Sequence, residues 1–242
     1  MEAIKILGLT KKYKNLVAVD NLFLDIQEGE LFSLLGINGA GKTTTIKMLS
    51  CLSSPTSGDA MLMGHSIKKE PSEVKSIIAV SPQETAVASG MTVRENLELI
   101  CGIYLFDKEK TNKKISELEA WLGLSDVMNK KAGKLSGGYA RRLSIAMALV
   151  SEPKILFLDE PTLGLDVIAR SELWELILSL KGKVTIILTT HYMEEAEALS
   201  DRIGIMKDGK LLVCDTSDAI KKMAGKDKFE EAFIEVVKGA KR

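Results

Sequence analysis

Residues 36–43 form a glycine-rich stretch that ends in Lys42 and Thr43, a cation beside a hydroxyl. The apolar run at residues 31–35 predicts a buried strand before it, and residues 44–49 have a spacing compatible with a helix. Glycines in such a turn let backbone N–H groups close around phosphate oxygens, and the helix dipole adds positive charge. Lys42 supplies a charge for the β- and γ-phosphates, and Thr43 a hydroxyl for Mg²⁺. The sequence therefore predicts a nucleoside triphosphate site in this segment, the phosphate loop.

Two adjacent carboxylates follow a second apolar run. Residues 155–158 predict a buried strand, and Asp159 and Glu160 come directly after it. Ligands of α/β sheets bind at the carboxyl ends of the strands. We therefore expect Asp159 to hold Mg²⁺ and Glu160 to accept a proton from an attacking water. An ordinary acidic loop is the alternative, but a phosphate loop in the same chain favours the catalytic interpretation.

Residues 135–138 read Leu-Ser-Gly-Gly before a helical stretch. Ser136 has the residue type of a helix N-cap, and Gly137 and Gly138 would leave the first N–H groups of that helix uncovered. This signature segment thus predicts a second helix end that can bind an anion. Taken alone, the segment favours a flexible turn.

Short apolar runs at intervals predict the elements that position these candidates. Several runs are β-branched or rich in leucine, as in parallel strands buried on both faces, and Asp208-Gly209 is a hairpin signal. Strands are predicted at residues 2–10, 17–26, 77–80, 155–158, 184–189 and 202–206. We expect an α/β core with an antiparallel portion over residues 1–85 and 151–224.

Residues 86–150 are predicted to be mostly helical. Thr92 and Glu95 have the spacing of a capping box, and three apolar faces follow at helical spacing. Those faces are Leu97, Ile100, Cys101 and Tyr104, then Ile115, Leu118 and Leu122, then Leu143, Met147 and Val150. We expect a helical lobe at residues 86–150 and a C-terminal amphipathic helix or tail at residues 225–242.

Composition limits the partners. Thirty-three basic residues balance 33 acidic ones, so bulk charge gives no reason to expect nucleic acid as a partner. Glu2 stands where a signal peptide would carry bases, and no apolar run approaches the length of a bilayer span. We expect no signal peptide and no transmembrane segment. A membrane-spanning part, if the protein has one, would then be another chain.

The motifs occur together in a specific order. Gln83 follows the predicted strand at residues 77–80, the signature segment precedes Asp159 and Glu160, and residues 164–166 and His191 come last. The full set resembles the ATP-binding subunit of ABC transporters over nearly the whole chain. The resemblance implies a P-loop NTPase (RecA-like) core with an antiparallel β portion and an inserted α-helical lobe. It implies ATP contacts from Tyr13, which would stack on adenine, and from Gly36, Asn38, Gly39, Gly41, Lys42, Thr43 and Thr44.

The resemblance also implies a catalytic site shared by two chains. In this family two ATP-binding domains meet head to tail, so that the signature of one faces the ATP of the other. Carried over, Ser136, Gly137 and Gly138 would contact the opposing ATP, and Asp166 would lie at the dimer interface. Catalytic residues would be Glu160, His191 at the γ-phosphate, and Gln83 near the water. Thr43, Gln83 and Asp159 would hold Mg²⁺. Tyr139 departs from the family, which carries Gln there.

The implied partners are a second copy or a homologous ATP-binding subunit, and polytopic membrane permease subunits at the cytoplasmic face of a membrane. Residues 164–170 and 191–197, with the phenylalanine-containing tail, resemble the branch that serves drug, antibiotic and lipid exporters. A helix that covers its own domain is an equally good interpretation of the tail. The alternatives are a soluble ABC-type ATPase acting on nucleic acid or ribosomes, an ABC importer subunit, and a P-loop small-molecule kinase. The kinase would leave the signature segment and His191 unexplained.

Overall fold

The computed structural model describes residues 1–239. Its strands are β1 (Glu2–Tyr13), β2 (Leu16–Gln27), β3 (Leu31–Gly36), β4 (Ser57–Leu62), β5 (His65–Ser66), β6 (Ile78–Ser81), β7 (Ile155–Asp159), β8 (Thr185–Thr190), β9 (Arg202–Lys207) and β10 (Lys210–Asp215). Its helices are α1 (Lys42–Leu49), α2 (Pro71–Ile77), α3 (Val93–Ile103), α4 (Lys108–Trp121), α5 (Gly137–Leu149), α6 (Val167–Leu180), α7 (Met193–Leu199), α8 (Ser217–Ala224) and α9 (Phe229–Gly239). Two 3₁₀ turns, Ser125–Val127 and Ala132–Lys134, precede α5.

A six-stranded sheet carries the predicted site. Its strand order is β10-β9-β3-β8-β7-β6, and the five strands from β9 to β6 are parallel. Every residue of β3, β7 and β8 is buried, which explains their near-continuous apolar sequence. β9 and β10 pair antiparallel across residues 208–209, so the predicted hairpin is confirmed. The predicted α/β core with an antiparallel portion is therefore confirmed.

A second, four-stranded antiparallel sheet has the order β2-β1-β4-β5. The long strands β1 and β2 were predicted, whereas β4, β5 and helix α2 were not. β4 runs beside β1 at a point where Gly58 has a φ of 77°, and a Cβ there would lie 2.2 Å from the Gly8 carbonyl oxygen. This close approach of two backbones depends on tertiary packing, so the local sequence of β4 does not reveal it.

Helices α3, α4 and α5 occupy most of the stretch between residues 86 and 150. The predicted capping box is present: Thr92 Oγ1 accepts from the Glu95 amide, and the Glu95 carboxylate accepts from the Thr92 amide. Most of the predicted apolar positions are buried in one cluster with α6, although Tyr104 is 49% exposed. These helices follow β6 and precede β7, so they are inserted between two neighbouring strands of the sheet.

The C-terminal helix α9 packs on its own chain. Phe229, Ala232 and Phe233 are buried in a cluster with Leu35 and Ile205. This arrangement matches the interpretation that the tail covers its own domain; the last part of the predicted tail, residues 240–242, lies outside the described residues. Within residues 1–239, no helix combines the length and apolar character needed to cross a membrane.

Candidate active site

Two glycines give the phosphate loop its shape. A Cβ at Gly36 would lie 2.5 Å from the Met206 carbonyl oxygen, and one at Gly41 would lie 2.5 Å from the Ala18 carbonyl oxygen. Gly41 also has a φ of 106°, a conformation that residues with side chains rarely adopt. The loop therefore turns tightly between β3 and α1, and α1 begins at Lys42 with its first N–H groups directed at the loop.

Lys42 is folded back onto the phosphate loop. Its Nζ donates to the Gly36 carbonyl at 2.7 Å and lies 3.5 Å from Glu160 Oε1. The side chain is almost completely buried, and burial lowers the pKa of Lys42, whereas the carboxylates of Glu160 and Asp159 raise it. The cation is thus held by carbonyl and carboxylate oxygens, the same atom type that a phosphate would offer.

Asp159 joins the phosphate loop to two neighbouring strands. The sequence predicted it just after a strand, but it is the last residue of β7 and pairs with Thr189 of β8. Its Oδ1 accepts from the hydroxyl of Thr43 at 3.1 Å and, in a very short hydrogen bond, from the hydroxyl of Thr189. A carboxylate and a hydroxyl are oxygen donors of the kind that bind Mg²⁺.

Glu160 lies between Lys42 and His191. Its Oε2 is 3.1 Å from His191 Nδ1, and its backbone N–H donates to the Thr189 carbonyl at 3.0 Å. Glu160 has a φ of 47°, which is uncommon for a residue with a side chain. Such strain is held only where the surrounding structure enforces it, as these contacts do here. The carboxylate is therefore buried but fixed at the edge of an open cavity.

Most of the predicted residues line that cavity, which has a volume of about 610 Å³. Its lining includes Tyr13, Asn38, Gly39, Gly41, Lys42, Thr43, Thr44, Gln83, Glu160 and His191. Gly36 and Asp159 lie directly behind it, in contact with Lys42 and Thr43 respectively. Tyr13 is at the rim and 45% exposed, with Leu16 and Val17 beside it. One cavity thus combines a phosphate loop, a carboxylate, a histidine and an aromatic rim.

The signature segment does not line that cavity. Ser136 Oγ caps α5 by accepting from the Tyr139 amide at 3.5 Å, as the sequence predicted. Gly137 and Gly138 pack closely against the residues at the start of α6 and just before it. A Cβ at Gly137 would lie 3.1 Å from the Leu165 side chain, and a Cβ at Gly138 would lie 3.1 Å from the Ala169 side chain. Asp166, expected at a dimer interface, is exposed and caps α6 through the Ala169 amide. The signature segment and Asp166 thus form a surface separate from Lys42.

Sequence reasoning missed three residues that support the site. Thr189 orients Asp159, and Arg141 donates to the backbone of residues 82 and 83. Glu195 is completely buried on α7, four residues after His191, and accepts from the Trp174 indole at 3.1 Å. Burial raises the pKa of Glu195, and the Trp174 hydrogen bond and the charge of Arg170 act against that shift. A threonine at the end of a buried strand before His191 was the only one of these signals visible in the sequence.

Comparisons with known proteins agree with this site. A family model described as "ABC transporter" matches residues 19–163. The chain is 38% identical to the Escherichia coli protein named "Probable multidrug ABC transporter ATP-binding protein YbhF", over 95% of this chain and 40% of that protein. It therefore spans less than half the length of that relative. It is also 38% identical to the daunorubicin/doxorubicin resistance ATP-binding protein DrrA of Streptomyces peucetius, over 92% of this chain and 68% of that protein.

A solved structure of an ATP-binding cassette has the same fold. The dimeric structure of a post-hydrolysis state of the ATP-binding cassette MJ0796, bound to ADP and Pi, superposes with a TM-score of 0.79 at 29% identity. The superposition covers 88% of this chain and 98% of the MJ0796 chain. Sequence family, fold and the arrangement of the cavity lead to one conclusion: this chain belongs to the ABC transporter family and has the fold of its ATP-binding cassette.

Proposed function

We propose that this chain is the ATP-hydrolysing motor subunit of an ABC exporter, and that it drives separate membrane-spanning subunits. The observation that carries the proposal is the convergence of Lys42, Glu160 and His191 on one cavity beside the phosphate loop. A kinase would need an acceptor pocket next to the γ-phosphate, whereas the groups gathered here suit a water molecule.

Phosphate binding begins with an exchange of partners at Lys42. The Nζ that contacts Gly36 O and Glu160 Oε1 would turn to the β- and γ-phosphate oxygens, while the loop N–H groups surround the β-phosphate. Glu160 then loses its contact with the Lys42 cation, so its carboxylate is available to accept a proton. Binding of ATP thereby prepares the carboxylate that hydrolysis requires.

Thr43, Asp159 and Gln83 are the residues that would hold Mg²⁺. The hydroxyl of Thr43 and the carboxylate of Asp159 already lie 3.1 Å apart, and Gln83 lines the same cavity. All three offer oxygen, which suits a hard divalent cation. When bound, Mg²⁺ supplies positive charge to the β- and γ-phosphate oxygens.

Hydrolysis uses Glu160 as the general base. A water oxygen attacks the γ-phosphorus, its proton passes to the Glu160 carboxylate, and the bond to the β-phosphate oxygen breaks to release ADP. His191 would orient Glu160 through Nδ1, and it lines the same cavity. A ring N–H directed at the γ-phosphate would stabilise the charge of the transferred phosphoryl group.

A second copy, or a homologous subunit, would complete the site. The first N–H groups of α5 and the hydroxyl of Ser136 lie away from the chain's own Lys42, so they are available to an ATP held by another chain. Asp166 and the exposed Val167 and Ile168 lie next to this surface, and a partner would cover them. The γ-phosphate would then bridge two chains, and its removal would let them separate.

We further propose a division into an ATP-binding core, residues 1–85 and 151–224, and a helical lobe, residues 86–150. A groove of about 470 Å³ lies between them, lined by Pro82 and by apolar side chains of both parts. Leu52 and Ile103 at this groove are 69% and 66% exposed. An apolar helix of the membrane-spanning subunit would bury them beside Gln83, at the cytoplasmic face of the membrane.

The experiment that tests the proposal is recovery of partners with tagged Glu160→Gln protein and Mg-ATP from detergent-solubilised native membranes, followed by mass spectrometry. We expect a polytopic membrane protein at stoichiometric yield. The matched control is Leu52→Glu combined with Ile103→Glu, which should lose that protein while retaining ATP binding. Recovery of only soluble proteins, ribosomes or nucleic acid would contradict the transport function and leave the ATPase site standing.

A further inference from the structure

Arg141 lies on α5, one turn beyond the signature segment, and its side chain points back to the end of β6. Its Nη1 donates to the Pro82 carbonyl at 2.6 Å, and its Nη2 donates to the Gln83 carbonyl at 2.7 Å. These carbonyls belong to the two residues that follow β6, where the chain leaves the sheet. One planar guanidinium therefore holds two successive peptide groups, which fixes their orientation.

The burial of this cation is unusual enough to require a reason. Arg141 is 5% exposed, and among residues 1–239 it forms no ion pair. Burial lowers the pKa of Arg141, and the more distant charges of Asp159 and Glu195 oppose that effect. A buried charge without a close counter-ion lowers stability relative to an apolar side chain of similar size. Packing alone thus gives no advantage to arginine at this position.

A second contact follows on the same face of α5. Ser144 Oγ and Ser81 Oγ are 2.9 Å apart in a buried hydrogen bond, one helical turn after Arg141. Residues 81, 82 and 83 are therefore each hydrogen-bonded to α5. The signature segment and the backbone of Gln83 are connected through one rigid helix.

The neighbouring arginine behaves differently. Arg142 donates to Glu172 of α6 at 2.6 Å, and its guanidinium lies over the Tyr139 ring at 5.5 Å. The Glu172 side chain is 55% exposed, although that of Arg142 is only 17% exposed, so solvent weakens this ion pair from the Glu172 side. Two adjacent residues of the same type thus have different partners, and Arg142 is a matched control for Arg141.

We propose that Arg141 is a positioning residue for Gln83, which it ties to the signature helix α5 so that the two move together. Contact of the signature segment with a second chain would then change the position of the Gln83 side chain in the cavity. This inference rests on the proposed function, because it explains how contact between two chains would be transmitted to Gln83, on the Mg²⁺ and water side of the site. It connects the helical lobe, through Arg141, to the site of ATP hydrolysis.

The test compares Arg141→Gln, Arg141→Lys and Arg142→Gln. For Arg141→Gln we expect kcat to fall about 10- to 100-fold, as for other residues that orient a contacting group, and the Mg²⁺ requirement to rise. ATP affinity measured in EDTA should stay within about twofold, since the phosphate loop is unchanged. Lysine reaches one carbonyl at a time, so Arg141→Lys should be intermediate. Arg142→Gln should retain wild-type values.

A second measurement does not depend on hydrolysis. Hydrogen–deuterium exchange of the amides of residues 83–88, among which Ala88 N–H donates to Asn96 Oδ1, should become faster in Arg141→Gln, and not in Arg142→Gln, while the exchange of α1 stays unchanged. Equal protection of residues 83–88 in all variants, or equal losses from both arginines, would overturn the proposal. An inactive wild type would contradict the proposed function instead, and the exchange result would still decide the role of Arg141.

Discussion

The phosphate-loop side of the molecule and the signature side are built in opposite ways. Lys42, Asp159 and Glu160 are almost completely buried, and each contacts at least two groups from other segments. Ser136 and Gly137 are exposed, and their polar groups serve only the start of their own helix. The first region is assembled before any ligand arrives. The second presents free N–H groups outward, so within one chain it has no phosphate to bind.

This contrast separates binding from hydrolysis. A chain that holds a complete phosphate loop should bind ATP alone, because every group proposed to contact the β-phosphate belongs to it. A chain whose second anion site faces outward should hydrolyse ATP efficiently only with another chain. Variants on the two sides should therefore differ in which step they impair, ATP binding or hydrolysis, as well as in the size of the effect. The largest effect should come from replacement of Lys42.

Replacement of Lys42 by alanine should abolish useful ATP binding. Loss of one partner from a buried charge contact costs about 2–5 kcal/mol, so Kd should rise by roughly 30-fold or more. Titration with a fluorescent ATP analogue measures it. Lys47→Ala is the control, since Lys47 lies on the same helix with an exposed side chain and should bind normally. An unchanged Kd in Lys42→Ala would remove the phosphate-loop assignment.

Replacement of Glu160 by glutamine should preserve binding and stop turnover. The amide keeps the size of the carboxylate but accepts no proton, so kcat should fall by about 10²–10⁴, the range for a general base. Light scattering with ATP should show accumulated dimer, because the bridging γ-phosphate is not removed. Glu194→Gln, at an exposed position on α7, is the control. Near-normal turnover in purified Glu160→Gln protein would exclude this carboxylate as the base.

Ser136→Asp tests the signature side without removing its helix cap. Aspartate is as good an N-cap as serine, but its negative charge would repel the phosphate of an opposing ATP. We expect a Kd for ATP within about twofold of the wild type, and hydrolysis reduced by about 10- to 100-fold, which corresponds to roughly 1.4–2.7 kcal/mol. Ser136→Asn, a neutral cap, should be affected far less.

Mixing two inactive variants sharpens this test. A dimer of Lys42→Ala with Ser136→Asp contains one intact phosphate loop that faces one intact signature segment. Its ATPase activity should therefore exceed the sum of the separate variants. Additive activity at every mixing ratio would indicate that each chain acts alone.

The sequence was sufficient for the phosphate-loop side because its signals are local. A strand, a glycine-rich turn and a helix follow one another at residues 31–49, and Asp159 and Glu160 stand beside a buried strand. The position of Asp159 differed from the prediction by one residue, since β7 extends to include it. Periodicity also identified the faces of α3 to α5, where most of the predicted apolar positions are buried.

The remaining features depend on contacts between distant parts of the chain. Arg141 reaches residues 82 and 83, which precede it by 59 and 58 positions, and nothing near Arg141 in the sequence indicates that partner. Strand β4 relies on the approach of Gly58 to Gly8, which is equally non-local. Apolar runs and caps reveal elements, whereas hydrogen bonds between elements appear only when the fold is known.

The smallest expected effect tests whether the rigid packing of the phosphate-loop side extends to α7, behind His191. Glu195 is buried on α7, and burial raises its pKa, so the folded chain holds this proton more tightly than the unfolded chain does. The stability that Glu195 contributes is then greatest below its unfolded pKa and is lost as pH rises through the folded value. Glutamine does not titrate and still accepts from Trp174. The free energy of unfolding of Glu195→Gln, relative to the wild type, should therefore increase from pH 5 to pH 8.

Each pKa unit of the shift contributes about 1.4 kcal/mol to that difference, which urea unfolding at the two pH values can resolve. Glu194→Gln, at the exposed neighbouring position, should show no such trend. If the two variants behaved alike, Glu195 would be ionised with effective stabilisation from Arg170, and the helix behind His191 would be held by an ion pair. If only Glu195→Gln gains stability, the rigid packing of the phosphate-loop side extends to α7 through a neutral acid.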